Sequence, residues 1–269
     1  SLTGAILNNA SMVGVTGRYA SLADATLSGV DLTGASLVWS NFDNASAYGA
    51  TLAGASITYS SFNRTKLNGA DLTDAVLTGS RMANVSFRAS NLTGADVSYT
   101  DMTAANLGGA IFTDANLTGA ILTDASGWGV KMAGADLTGA VMNRSGPYVA
   151  GFLHVSDISG ADLTGANLRG AILSSTILKQ ADLTGADLRG ASLIKADLES
   201  ANFYETVFGF STIVNCDLSK AMALEFARHT GPSTIGLDTL AKSGGRIPRK
   251  FLEDAGVAAP LMKAQDLIM

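Results

Sequence analysis

The sequence predicts an all-β solenoid, because one pattern recurs every five residues along most of the chain. From Leu2 to Met142, and one residue out of phase from Leu153 to Leu218, every fifth residue is large and apolar at 40 of 43 positions. The residue two positions earlier is always Ala, Ser, Thr, Val, Cys or Gly. Neither the period of an α-helix nor the alternation of a β-strand gives this spacing.

We therefore expect each five-residue unit to form one wall of a coil. The large apolar residue and the small residue point inward, and the other three residues point outward. Stacked coils bury a continuous apolar column, so that each coil depends on its neighbours. Close packing explains why only small side chains occur where the chain turns.

Outward aromatic residues predict four units in each coil. Four of them share one unit position and recur at multiples of 20 residues, and together we call them the aromatic ladder: Tyr19, Trp39, Tyr59 and Tyr99. In a four-unit coil they lie along one edge, with successive coils about 4.8 Å apart. The central Phe42 and Phe62 would stack in the same way. The repeat then gives about 11 coils in a rod on the order of 50 Å long.

The units also carry a family resemblance. Those that start at Ala135, Ala161 and Ala181 read Ala-Asp-Leu-Thr-Gly. Over residues 1–222 the chain resembles the pentapeptide-repeat family, whose pattern is A-(D/N)-L-x-x. The resemblance implies a right-handed quadrilateral β-helix.

Two segments interrupt the repeat. Residues 144–152 shift the register and contain Gly146 followed by Pro147, which predicts a corner bulge or short loop; the alternative is a functional loop carried on the rod. At Gly127 the central apolar residue is missing. We expect Trp128 to fold over that gap as a plug, and the alternative is an outward anchor for a partner.

Residues 223–269 predict a helical tail that covers one end of the column. Apolar spacing, capping residues and prolines predict helices over 221–228, from Ser233 towards Lys242, over 249–255 and from Pro260 to Met269.

The aromatic ladder is the first candidate interaction surface, and the alternative is an edge stack that stabilises adjacent coils. The apolar residues of the tail are a second candidate interaction surface, through which a homodimer could form: Phe251, Leu252, Leu261 and Leu267. If the tail is a dimerisation element, removing residues 246–269 should abolish self-association.

The opposite end has no predicted cap, since the repeat is in phase from Leu2. This end is expected to be a cut within a longer polypeptide, and the alternative is that the first coil pairs with another subunit. Residues 229–240 and the segments that follow are similar to those found after pentapeptide repeats in some large bacterial signalling or effector proteins. We therefore expect a fragment of a larger multidomain bacterial protein. With no secretion signal in the sequence, we expect it to be cytoplasmic.

Nothing in the sequence predicts catalysis, a cofactor or a metal site. The two histidines, His154 and His229, lie in different regions, and Cys216 occupies a small inward position, which indicates a buried and inert thiol. Most aspartates occupy one outward unit position, where we expect hydrogen bonds to the backbone of nearby turns rather than paired carboxylates. These include Asp31, Asp71, Asp136, Asp162 and Asp182.

The sequence favours a non-catalytic protein-interaction scaffold, and the alternative is a DNA-mimicking inhibitor of DNA gyrase. Some pentapeptide-repeat proteins inhibit gyrase in that way, as acidic rods that dimerise through C-terminal helices. Residues 1–222 carry 12 basic and 18 acidic side chains, a net charge of −6. A duplex as long as the rod would carry about 30 charges, so the charge argues against mimicry. With an overall net charge of −5, we expect no direct binding of nucleic acid, and no apolar run is long enough to span a membrane.

Overall fold

The chain winds as a β-helix with four walls in each coil. The computed structural model describes residues 1–143 and 156–266. Parallel bridges join residues 20 apart, as in Ile6 with Thr26 and Thr26 with Ser46, so the predicted 20-residue coil is confirmed. We number the walls of a coil by their central residues: Leu22 for the first wall, Leu27 for the second, Leu32 for the third and Leu37 for the fourth.

Each wall ends in a tight turn that determines which residues can occupy the corner. After the central Leu32, for example, the N–H of Ala35 donates to the carbonyl of Leu32 at 2.9 Å. Gly34, the third residue of that turn, has a φ of +61°. A type II turn needs a positive φ at this position, which glycine adopts without steric cost. The requirement explains why so many glycines stand at the last position of the unit.

The interior is a continuous apolar column, as the inward assignment predicted. The central Leu72 and the small Ala75 are both fully buried. Phe42 and Phe62 stack with ring centroids 4.6 Å apart and planes within 2° of each other.

Several polar residues at the small position donate to the coil before, as Thr65 Oγ1 does to the carbonyl of Phe42 at 2.7 Å. Thr100 Oγ1 donates within its own turn, to the carbonyl of Val97 at 2.7 Å, and Ser156 Oγ is buried without a hydrogen-bond partner among the described residues.

Between Met142 and Ile158 the coil contains six additional residues. Lys131 bridges to Asp157, a step of 26 residues, whereas Asp157 bridges to Ile177 at the usual step of 20. The predicted bulge at 144–152 lies outside the described residues. The column continues on both sides of it, because Met142 and Ile158 are both buried.

Parallel pairing runs on to Ile235, beyond the predicted end of the rod at residue 222. Strand β1 (Val207–Phe208) pairs with β3 (Arg228–His229), and β2 (Thr212–Ile213) pairs with β4 (Thr234–Ile235). The helix predicted over 221–228 is wrong, since only a 3-10 turn forms at Leu224–Phe226. Leu224 and Ala227 are buried. Their three-residue spacing, typical of a helix face, here turns both side chains towards the interior of one last coil.

Three short helices complete the described chain. They are α1 (Leu237–Lys242), α2 (Arg249–Asp254) and α3 (Ala259–Asp266). Helix α2 packs on the 3-10 turn and on β3. Its Phe251 ring meets Phe208 edge-on at 5.5 Å between centroids. Helix α2 therefore covers the end of the apolar column. Within the described residues, no helix is long and apolar enough to cross a membrane.

Candidate interaction surfaces

The aromatic ladder lies on one corner of the rod, between the fourth wall of one coil and the first wall of the next. Its side chains are 71% (Tyr19), 47% (Trp39), 52% (Tyr59) and 67% (Tyr99) exposed. All four residues have a positive φ, between 53° and 60°. Bulky residues rarely adopt this conformation, which costs about 1–3 kcal/mol for a residue other than glycine. The fold therefore holds large apolar rings in solvent on strained backbone.

A column of serines supports the corner beneath the ladder. The N–H of Ser40 donates to Ser60 Oγ at 2.8 Å, and the N–H of Ser60 donates to Ser80 Oγ at 3.0 Å. At most other corners the equivalent N–H donates to the carbonyl of the central residue in its own turn, as that of Ala35 does to Leu32. Ser60 Oγ in turn donates to the carbonyl of Leu37 at 3.2 Å. Serine at three successive 20-residue steps was the available signal for this support, and our sequence reasoning missed it.

The ladder is stacked only in part. Trp39 and Tyr59 stack with centroids 4.9 Å apart and planes 16° apart, and they are the one stacked ring pair of the ladder among the described residues. The Tyr59 ring leans over Gly79, where an added Cβ would come within 2.6 Å of it. Tyr19 instead has the Arg18 guanidinium 5.8 Å from its ring centroid. The corner thus presents a two-ring platform, with Tyr19 and Tyr99 as separate rings at its two ends.

Trp128 points outward with 72% of its surface exposed, so the predicted plug is wrong. The gap left by Gly127 is closed by backbone instead. Gly127 has a φ of +154°, and an added Cβ would meet the amide nitrogen of Gly108 at 2.7 Å. Because the chain lies directly against the preceding coil, no space remains for the indole. Trp128 therefore borders a shallow cleft floored by glycines, with Arg88 at its edge.

The tail residues assigned to an interaction surface are less exposed than predicted. Phe251 and Leu252 are 0% exposed because they cover the end of the column, so their assignment to an interaction surface is wrong. Leu261 on α3 is 40% exposed. Leu267 lies outside the described residues. Removing residues 246–269 would therefore uncap the column as well as delete α3.

Comparison with known proteins agrees with this architecture. Eight copies of the family described as Pentapeptide repeats match residues 1–34, 35–74, 70–109, 110–145, 156–190 and 181–219. The chain belongs to the pentapeptide-repeat family. No curated protein matches it.

Solved pentapeptide-repeat structures resemble the chain to different degrees. HetL, which is involved in heterocyst differentiation regulation in the cyanobacterium Nostoc sp. strain PCC 7120, is 31% identical, with a TM-score of 0.54 over 74% of this chain and 86% of HetL. QnrB1, a plasmid-mediated fluoroquinolone resistance protein, is 18% identical, with a TM-score of 0.28 over 76% of this chain and 89% of QnrB1. Rfr23 from the cyanobacterium Cyanothece 51142 is 24% identical, with a TM-score of 0.15, and the match covers 51% of this chain and 62% of Rfr23.

The aspartates that the pentapeptide repeat places before its central residue bond to their own turns, as predicted. Each accepts the N–H of the residue two positions later at 2.9–3.0 Å, in Asp31, Asp71, Asp136, Asp162 and Asp182. The Thr33 hydroxyl also donates to Asp31 at 2.6 Å and lowers the pKa of that carboxyl. No group of three or more metal-ligating side chains occurs in the described part of the chain.

Cys216 and His229 are packing residues of this pentapeptide-repeat rod. Cys216 is buried, and its Sγ donates to the carbonyl of Leu193 at 2.7 Å. Burial raises the pKa of its thiol to about 11, as expected for an inert structural cysteine. The His229 ring lies against Phe208 and Phe251 at 5.3 and 4.8 Å between centroids, and burial lowers its pKa.

Proposed function

We propose that the chain is a non-catalytic protein-interaction scaffold, a right-handed rod of about 11 coils that presents the aromatic ladder to a protein partner. The observation that carries this proposal is the cost of displaying the ladder. Gly79 and Gly119 occupy the same corner column and adopt the left-handed conformation freely. Residues other than glycine adopt the same conformation at other corners, as Arg64 and Lys195 do, and what distinguishes the ladder is that its strained residues are large aromatic rings exposed to solvent. A corner with only a structural task would not need such rings.

Rigid aromatic side chains are suited to this role. Tyr and Trp bury a large area at an interface and lose little conformational entropy, because they have few rotatable bonds. The two-ring platform of Trp39 and Tyr59 is already ordered by stacking, so a partner would not need to order it. HetL, a pentapeptide-repeat protein involved in heterocyst differentiation regulation, offers a precedent for a regulatory role of such a rod.

Two finer proposals concern the oligomeric state of the chain and an action on DNA gyrase. A homodimer through the C-terminal helices would use the exposed Leu261, because Phe251 and Leu252 are already engaged in the cap. Gyrase inhibition by DNA mimicry remains the alternative function, and the charge distribution of the rod weighs against it.

The test is a double substitution of the two-ring platform. Trp39→Ala with Tyr59→Ala should weaken capture of a protein partner from the source organism at least about tenfold, the loss of one hot spot. The melting temperature should fall only slightly, because the stacked pair contributes about 0.5–1.5 kcal/mol.

Tyr48→Ala is the matched control. Tyr48 is an aromatic residue of the same coils with 41% exposure, but it lies on a different corner. Its replacement should leave capture unchanged. If the double variant loses melting temperature in proportion to binding, or if Tyr48→Ala has the same effect, the ladder is only a structural edge and the proposal fails.

A further inference from the structure

The middle coils separate their charges between opposite sides of the rod. Residues 40–49, 60–69 and 80–89 form the first and second walls of three successive coils. They hold four basic residues and one acidic residue, a net charge of +3: Arg64, Lys66, Arg81 and Arg88 against Asp43. The third and fourth walls of the same region, residues 50–59, 70–79 and 90–99, hold three acidic residues and no basic one, a net charge of −3: Asp71, Asp74 and Asp96.

Among the described residues, the basic side chains of this region take part in no ion pair. All four are exposed. In the described residues every ion pair involves side chains at position 179 or later, such as Lys179 with Asp197 at 3.4 Å. Arg81 lies in register with Asp101 of the next coil, yet the two form no ion pair within 4.0 Å. The rod can therefore offer these cations to a partner without breaking an internal contact.

A shallow groove brings this charge next to the aromatic ladder. Its lining includes Trp39, Tyr59, Gly79, Ser61 and Arg81. The two stacked rings form one side of the groove. The guanidinium of Arg81 is the charged group of the lining, and Lys66 lies on the adjoining second wall.

We propose that this groove and the adjoining basic wall bind an acidic, extended polypeptide segment. This proposal rests on the proposed function, because it identifies the chemistry of the partner that the ladder would recognise. Carboxylates of the segment would pair with Arg81 and Lys66, where guanidinium and ammonium groups are unpaired. An apolar or proline side chain beside them would pack on the face formed by Trp39 and Tyr59.

The same features disfavour single-stranded nucleic acid. Stacking proteins of that class present aromatic rings on which successive bases lie, within a continuous positive groove. Here Trp39 and Tyr59 are stacked on each other at 4.9 Å, which leaves no space for a base between them. Asp43 and Asp101 also carry negative charge on the first wall, on either side of Arg81. A peptide with a few carboxylates tolerates these two acids better than an unbroken run of phosphates does.

The experiment uses fluorescence anisotropy of the full chain with three labelled probes. They are a 12-residue peptide of Glu, Pro and Leu, its counterpart with Gln in place of Glu, and the oligonucleotide (dT)12. We expect the acidic peptide to bind at low salt at least about tenfold more tightly than either other probe. Its affinity should fall as NaCl is raised, because the cations are exposed.

Charge reversal locates the site. Lys66→Glu combined with Arg81→Glu should weaken the binding of the acidic peptide at least about tenfold. Lys131→Glu is the matched control, since Lys131 is exposed at the same unit position as Lys66 but lies on the third wall; it should change the affinity less than about twofold. Unchanged melting temperatures confirm that the variants fold.

Four results would overturn the inference: no binding of the acidic peptide, equal binding of the neutral peptide, tighter binding of (dT)12, or equal effects of the two charge-reversal variants. Failure of the proposed function looks different. If partner capture depends on Trp39 and Tyr59 but survives Lys66→Glu with Arg81→Glu, the scaffold stands and the acidic partner does not. If capture is independent of Trp39 and Tyr59 as well, both proposals fall.

Discussion

At the residue scale, the small inward position accommodates a hydroxyl or thiol group where the preceding coil supplies an acceptor for it. Ser211 Oγ donates to the carbonyl of Leu188 at 2.9 Å, and Cys216 Sγ donates to that of Leu193 at 2.7 Å. A buried polar group without a partner would cost about 1–3 kcal/mol. The five-residue pattern thus selects for size at this position and tolerates polarity.

Cys216 should make the fold sensitive to alkaline pH. Folding raises the pKa of its thiol from 9.0 to about 11, since burial disfavours the thiolate. The unfolded chain therefore ionises first. The stability contributed by the neutral thiol is complete below pH 9 and is lost as the pH rises towards 11, at up to about 1.4 kcal/mol per pH unit. Cys216→Ser, which keeps the donor, should remove this loss.

Urea unfolding at pH 8 and pH 10 measures the effect. The wild-type chain should lose more unfolding free energy between the two pH values than Cys216→Ser does, because all other titrating groups are common to both. Equal losses in the two proteins would show that the thiol does not couple to folding.

At the element scale, walls and corners differ in how far the sequence predicts them. Walls were predictable because burial imposes the same demand on every central residue, from Leu22 to Leu218. Corners were not, because their side chains face solvent and local backbone contacts decide their conformation. The serine column under the ladder, the outward Trp128 and the 3-10 turn at Leu224–Phe226 all depend on such contacts.

The tail shows the same limit. Helix α2 lies within one residue of its predicted bounds, since Pro248 marks its start. The 221–228 segment has apolar residues that satisfy either a helix face or the interior of a coil, and spacing alone cannot distinguish the two. The exposure of Phe251 was mispredicted for a related reason: the sequence does not show how much apolar surface the open end of a column needs covered.

Gly127 and Gly129 flank Trp128, and replacing each of them by alanine tests how this corner is built. Gly127→Ala should destabilise the rod more than Gly129→Ala. At Gly127 the added Cβ would lie 2.7 Å from a backbone nitrogen and 2.8 Å from a backbone carbon, which cannot move without shifting the preceding coil. Gly129 has a φ of +68° and nothing within 4 Å of an added Cβ, so its replacement costs only conformational strain, about 1–3 kcal/mol.

Thermal melting of the two variants makes the comparison. A larger fall in melting temperature for Gly127→Ala would support the backbone contact as the reason that Trp128 points outward. Equal falls would mean that the corner relaxes around the new methyl group, and the space beneath Trp128 would then not be closed.

At the scale of the whole molecule, the distribution of charge favours the proposed scaffold over a DNA mimic. The strongest surface for mimicry is a column on the fourth wall, where Asp136 is in register with Asp162 and Asp162 with Asp182. Successive coils bring one carboxylate about every 4.8 Å, whereas a duplex presents one charge per about 1.7 Å. Each carboxylate is also oriented by its own turn, as Asp182 is by the hydroxyl of Thr184 at 2.6 Å.

We therefore expect the full chain to leave DNA gyrase active. In a supercoiling assay, micromolar protein should give the same product as a buffer control, because the acidic column is sparse and the opposite walls of the middle coils carry a net charge of +3 over residues 40–49, 60–69 and 80–89 (four basic against one acidic). The variant Asp136→Asn with Asp162→Asn and Asp182→Asn provides the control. If the wild-type chain inhibits supercoiling and this variant does not, the acidic column acts as a DNA mimic and the alternative function replaces the scaffold.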